Sequence, residues 1–255
     1  MISYTDRGKG DVIILIHGYL ETSEVWNSFA TRLAGSYRVI TVDLPGHGKS
    51  DLPGEIQTMD IMAEAIKKLI ESLGIRKVFM TGHSLGGYII LAFADLFPEM
   101  LSGYCLFHSH PLADMPEALE NREREIALVR AGKKDLIYPE NVAKMFASIN
   151  LDKFQAGLQR SKEIASSIPG EAIIAVLRGM MARPSRLAVM ESGRVPCLWI
   201  LGAMDNYINC ELAQTKVSLP ANAELAILKN SGHMGFIEEE EKSIDIIDSF
   251  IKNLP

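Results

Sequence analysis

The chain has 255 residues, enough for one large domain or two small ones with a sizeable core. Its residues are 47% hydrophobic and 23% charged, close to the globular average, which excludes a disordered or collagen-like chain. With 26 Lys plus Arg against 32 Asp plus Glu the net charge is −6, so nucleic acid is not an expected partner.

The first seven residues, Met1 to Arg7, lack the basic and then apolar blocks of a signal peptide. No run reaches the roughly 18 apolar residues that span a bilayer, so a cytoplasmic location without a membrane partner is expected. The three cysteines, Cys105, Cys197 and Cys210, lack the paired spacing of a zinc site, and two lie in apolar runs. Reduced, structural thiols follow.

Taken in chain order, a short strand near Ile2 to Tyr4 precedes the β-branched run Val12 to Ile16. A helical stretch, Glu24 to Ala34, leads to a strand over Tyr37 to Val42. A helix over Met59 to Leu73, a strand over Lys77 to Thr81, a helix over Leu85 to Phe97 and a strand over Gly103 to Phe107 follow. After residue 192 the alternation resumes with strands over Cys197 to Leu201 and Glu224 to Leu228, and helices over Glu211 to Val217 and Phe236 to Asn253. The alternation predicts an α/β fold, a mostly parallel central sheet with helices on both faces. Residues 112–192 break it, with helical patterns over Glu117 to Arg130, Glu140 to Ile149 and Ala172 to Met181 and no clear strand. This segment reads as a helical lid over the carboxyl ends of the strands, where open α/β sheets bind ligands, with residues 1–111 and 193–255 forming the core domain. Its alternating charges, Asn121 to Glu125, read as a solvated helix face.

Gly82-His83-Ser84-Leu85-Gly86 lies between a strand and an apolar helix, the setting of a Gly-x-Ser-x-Gly nucleophile elbow. The sharp turn strains the central residue and leaves room only for glycine two positions either way. It also puts the Leu85 N–H at a helix start, aimed where an oxyanion would form. A serine hydroxyl needs a base, and of six histidines His233, in Ser231-Gly232-His233-Met234-Gly235 after the last strand, is the best candidate. The imidazole in turn needs a carboxylate. Asp205, after the strand Cys197 to Leu201, fits that role, although an aspartate there is also an ordinary helix cap; Asp114 is the competitor.

The order Ser84, Asp205, His233, each after its own strand, resembles the α/β-hydrolase superfamily over nearly the whole chain, the lid matching that family's cap after its sixth strand. His17-Gly18-Tyr19-Leu20 resembles the family's oxyanion loop, which makes the backbone N–H of Tyr19 the second donor beside that of Leu85. Asp43 to Ser50 resembles the D-x-P-G-x-G-x-S loop, a structural turn. Two departures stand out: His17-Gly18 is not followed by further glycines, and the family's first strand is missing. Serine rather than aspartate at the nucleophile position favours acyl transfer over epoxide opening or halide removal.

The resemblance implies a serine hydrolase of a small carboxylic ester acting through an acyl-enzyme; with no H-E-x-x-H, no G-x-x-x-x-G-K-[ST] and no dinucleotide spacing of glycines, neither metal nor cofactor is expected. Thioesters, lactones, amides, a carbon–carbon bond of a diketone and cofactor-free perhydrolysis remain open, as does a small-ligand receptor with little turnover. For the substrate pocket the candidates are His110, Met115, Met145, Met181 and Met234. Flexible methionines suit an adaptable apolar pocket, but at helical spacing they equally build the lid's own core. Sequence is silent on the oligomeric state.

Overall fold

The computed structural model describes residues 1–254; residue 255, the last of the expected core segment, lies outside them. Seven strands form one sheet in the order β1-β3-β2-β4-β5-β6-β7, from β1 (Tyr4–Arg7), β2 (Val12–Ile16), β3 (Arg38–Val42), β4 (Val78–His83), β5 (Leu101–Phe107), β6 (Cys197–Gly202) and β7 (Ala223–Leu228). Only β1 runs antiparallel to its neighbour; the other five pairings are parallel. Parallel strands need crossovers, and helices on both faces cover them, which is why Ile13, Ile14, Leu15 and Ile16 are all fully buried.

The crossovers are α1 (Asn27–Leu33), α2 (Met59–Ser72) and α3 (Leu85–Leu96), the last buried from Leu85 to Ala94. The segment between β5 and β6 holds α4 (Pro116–Arg130), α5 (Lys134–Met145), α6 (Gln155–Ser167), α7 (Gly170–Met181) and α8 (Leu187–Glu191). The chain closes with α9 (Cys210–Thr215), α10 (Gly235–Glu238) and α11 (Glu240–Lys252). Among the described residues no single helix is long and apolar enough to cross a membrane.

Several boundaries differ from expectation for identifiable reasons. β1 begins at Tyr4, where its register pairs Tyr4 with Val42 and Arg7 with Val39. The final helical stretch is two helices, broken at Glu239, whose non-helical backbone (φ −132°, ψ 53°) accompanies a carboxylate that accepts from the Asn230 N–H and the Ser231 hydroxyl. α5 starts six residues earlier than expected, despite Pro139 inside it, and ends where Phe146 turns extended. α6 and α8 were not anticipated.

Candidate active site

The carboxyl edge of the sheet is shaped by turns directly after strands. Ser84 follows β4 with φ 50° and ψ −109°, a conformation that L residues rarely adopt, and it is the N-cap of α3. Close packing enforces the turn: a Cβ on Gly82 would stand 2.4 Å from the Gly86 carbonyl carbon, and one on Gly86 2.5 Å from the Ile16 oxygen. Ser84 is held by its N–H to the Phe107 carbonyl (2.9 Å) and by its carbonyl, which accepts from the Ser109 hydroxyl (2.8 Å). Leu85 opens the helix, so its N–H is among those without an intrahelical partner.

Asp205 and His233 arrive on the loops after β6 and β7. His233 Nδ1–H donates to Asp205 Oδ2 at 2.7 Å, and the other carboxylate oxygen accepts the N–H groups of Tyr207 (2.7 Å) and Ile208 (3.0 Å). Burial opposes the charge on Asp205, but the facing imidazoles of His233 and His108 outweigh it and hold the carboxyl well below its ordinary range. The His233 N–H donates to the carbonyl of Met145 at the end of α5, which ties its loop to the helical segment. Ser84 and His233 line one cavity of about 560 Å³. Asp114 also lines this cavity, but its carboxylate pairs with Arg122 (2.7 Å) and Arg183 (2.8 Å), while His233 pairs with Asp205.

Behind this edge lies a buried pair that the sequence reading missed. His83 Nδ1 is 2.9 Å from Glu21 Oε2, and its Nε2 is 2.8 Å from the His233 carbonyl. The carbonyl only accepts, and with Glu21 as a carboxylate both ring nitrogens donate, an arrangement that favours the imidazolium. Burial works against that charge, but Glu21 overcomes it and raises the His83 pKa, while His83 lowers that of Glu21 in return. Glu21 Oε2 also accepts the Gly18 N–H at 2.5 Å. One carboxylate thus connects the His17-Gly18 loop, the residue before Ser84 and, through the ring, the backbone of His233. A local signal existed, a glutamate three residues after Gly18, but its partner is 62 residues away.

The side chains of the remaining motif residues tie neighbouring turns and helices together. His17 Nδ1–H donates to the Gly18 carbonyl and its Nε2 accepts the Leu44 N–H, joining the turn after β2 to the one after β3. Asp43 caps its own loop by accepting the N–H groups of Ser23 and Lys49. The Tyr19 side chain reaches up to the helical segment, donating to Glu125 Oε1 at 2.8 Å, with the Tyr138 hydroxyl 3.3 Å away.

Of the pocket candidates, His110 and Met145 lie on the cavity wall. His110 Nδ1 accepts the Leu112 N–H, so its Nε2–H faces the Tyr88 hydroxyl at 3.2 Å; burial and Arg183 push its pKa down to about 4. Met115, Met181 and Met234 are not on that wall. Met115 is exposed beside a neighbouring hollow, and Met234 is fully buried in the core. On α7 it is Met180 that faces the cavity, which turns Met181, the next residue, about 100° aside. Tyr88, Asn121, Arg122, Glu125, Asn206 and Tyr207 are among the other residues of a wall more polar than the methionines implied.

His108, Asp205 and His233 each offer a ligand atom within 4.8 Å of the others, a donor set that a divalent metal could use. Two of them, on His233 and Asp205, are already bonded to each other. His108 Nε2 accepts the Gly235 N–H (3.2 Å), which leaves its proton on Nδ1, 3.3 Å from the oxygen that His233 already occupies. A metal would have to displace two ring protons, so the set fits an acid–base site better than a metal centre.

A model of the alpha/beta hydrolase fold family matches residues 11–152. An uncharacterized protein of Mycobacterium tuberculosis is 28% identical, the match covering 96% of this chain and 76% of that protein. A 2-hydroxy-6-oxononadienedioate/2-hydroxy-6-oxononatrienedioate hydrolase of Pseudomonas putida is 24% identical over 99% of this chain and 92% of its own. Among solved structures, an esterase from Thermogutta terrifontis superposes with a TM-score of 0.93 at 25% identity, covering 99% of this chain and 93% of that one.

Proposed function

Because the chain belongs to the alpha/beta hydrolase fold family and is an enzyme of that fold, we propose that it is a serine hydrolase cleaving a small carboxylic ester. The observation that carries this reading is the 2.7 Å bond from His233 to Asp205 on the wall of the cavity that Ser84 lines from a strained turn. Asp205 fixes the His233 tautomer with the proton on Nδ1, which leaves Nε2 with the lone pair a base needs. His233 takes the Ser84 proton as Oγ attacks the ester carbonyl, and the backbone N–H groups of Tyr19 and Leu85 receive the oxyanion. The same imidazole returns its proton to the departing alcohol, and a water repeats the cycle on the acyl-enzyme. The cavity suits a small ester: its volume lies within the range of about 300 to 1,000 Å³ typical of small-molecule sites.

The test is a fluorophosphonate probe followed by peptide mapping, together with a p-nitrophenyl ester series of increasing acyl length. Labelling at Ser84 with many turnovers per chain supports the reading. Labelling with a single burst and no further turnover would support a ligand receptor instead, and no labelling at Ser84 would remove the nucleophile. Lactone, thioester and amide substrates run in parallel decide which acyl bond is preferred.

A further inference from the structure

His108 is the first residue after β5, has φ 48° and is fully buried, a costly combination for a polar residue that is not glycine. Its N–H donates to the Ile200 carbonyl at 2.8 Å and its ring stacks on Phe107 with centroids 5.0 Å apart. The surroundings leave room for little else. A Cβ on Gly235 would lie 2.3 Å from His108 Nε2, and one on Gly202 2.7 Å from Cε1, so the end of β6 and the start of α10 both come close to this ring through glycine.

The direction of the ring's proton follows from its partners. Nε2 accepts the Gly235 N–H, so a neutral ring carries its hydrogen on Nδ1. Burial, the main cause, lowers the His108 pKa to about 4 and keeps the ring neutral. Nδ1 has no well-aligned partner among the described residues; its nearest acceptor is Asp205 Oδ2, 3.3 Å away and off the ideal line. That oxygen is the one bonded to His233. The other charged and titratable groups facing this cluster are His83, whose ring centroid is 6.1 Å from that of His108, Glu21 behind His83, Tyr207, whose ring is 5.2 Å from that of His233, His110, which feels His233, and Cys210, which feels Asp205.

We propose that His108 is a positioning residue that acts through Asp205: its Nδ1–H shares Oδ2 with His233 and so limits how strongly the carboxylate holds a proton on the His233 ring. The inference rests on the Ser84, His233, Asp205 reading. A carboxylate with an extra donor is a weaker partner for an imidazolium, so His108 extends the working range of the base toward acid pH. His108 does not line the cavity, so it does not touch substrate.

The experiment is the pH dependence of kcat/KM on a p-nitrophenyl ester for the unsubstituted chain, His108→Phe and His108→Gln. Phenylalanine keeps a ring but removes both nitrogens, whereas glutamine keeps an N–H donor. The acid limb is expected to move up by about one pH unit in His108→Phe, with His108→Gln returning it most of the way. A limb that stays in place in a folded His108→Phe, or moves equally in both variants, overturns the proposal and leaves His108 only a structural brace.

Should neither variant fold, ¹⁵N-histidine spectra of the unsubstituted chain still decide: Nδ1–H with Nε2 bare at residue 108 is required, and the opposite tautomer overturns the proposal. Fluorophosphonate labelling of the same preparation separates the two levels. Labelled Ser84 with an unmoved acid limb sinks only the role of His108, whereas unlabelled Ser84 sinks the triad itself.

Discussion

At the carboxyl edge of the sheet, Ser84 and His108 stand on left-handed turns directly after strands, whereas the charged residues of the helical segment above reach one another through long side chains. At the edge each polar group is fixed by backbone: Ser84 by Phe107, His108 by Ile200, and Asp205 by Tyr207 and Ile208. In the segment between β5 and β6, Asp114 holds Arg122 and Arg183 by side-chain contacts alone, and exposed Leu136 and Ile149 mark a looser surface. Many bonds join the two regions, among them those of His233 to Met145, Tyr207 to Asn141 and Asn206 to Lys144. Glu238 accepts the Ala147 N–H and the Asn150 amide with one oxygen and the Gly232 and Met234 N–H groups with the other; Tyr19 donates to Glu125. The contrast teaches that Ser84, the proposed nucleophile, is preorganised by the sheet, whereas the loop of His233, the proposed base, is held partly by the cover through the Met145 carbonyl.

That contrast breaks most visibly at the edge itself. Ser84→Ala and His233→Ala are each expected to lower turnover of a p-nitrophenyl ester by about 10⁵- to 10⁶-fold and Asp205→Asn by about 10⁴-fold, since triad members act as a unit. Circular dichroism of each variant checks that the fold survives, and residual turnover within tenfold of the unsubstituted chain would refute the assignment.

Glu21→Gln tests the support behind the edge. Breaking a buried ion pair from one side costs about 3 kcal/mol, measured by urea unfolding. The His83 pKa is raised in the fold, so its contribution is fully present below the unfolded histidine value near 6.5 and fades as pH rises through the folded value. The Glu21 pKa is lowered, so its contribution is present above the unfolded value of 4.5 and fades as pH falls through the folded one. The stability gap between the two chains is therefore expected to be widest between about pH 4.5 and 6.5 and to narrow on either side. A gap independent of pH would mean that His83 is not charged.

Glu238→Gln sharpens the comparison from the other side. An amide cannot accept at both ends, so one pair of N–H donors loses its partner, at about 2 kcal/mol. The expected result is faster hydrogen exchange at Ala147 and Gly232 ahead of the strands, with Ser84 still labelled by a fluorophosphonate. Equal acceleration across the strands would show that the segment does not open separately.

How much of this was legible beforehand follows the same division. The strands were readable because burial on both faces writes continuous β-branched runs such as Val12 to Ile16, and the turn at Ser84 because close packing demands glycine at 82 and 86. α6 was missed because its apolar residues are sparse, with only Ser161, Ile164 and Ala165 buried. The pairs Glu21 with His83, Asp114 with Arg183, and His108 with Asp205 bridge 62, 69 and 97 positions, and no local pattern carries such contacts. The methionine expectation failed at Met181 for want of helix phase, which places Met180 inward.

The smallest expected effect belongs to Tyr19→Phe, which removes the hydroxyl between the His17-Gly18 loop and α4. Burial, first among the causes, raises the Glu125 pKa, and the Tyr19 hydroxyl opposes that rise by donating to the carboxylate. A carboxyl whose folded pKa is raised contributes stability at low pH that is lost as pH climbs from the unfolded value through the folded one. Without the hydroxyl the rise grows, so the variant should match the unsubstituted chain in acid, where Glu125 is protonated. It should fall behind by about 1 kcal/mol above the folded value, where a charge-assisted bond is missing. Thermal unfolding at pH 4 and pH 8 reads this difference; an equal loss at both would mean that Glu125 does not change charge. Since only the side chain of Tyr19 is altered and its backbone N–H remains, kcat on a short ester should change less than KM.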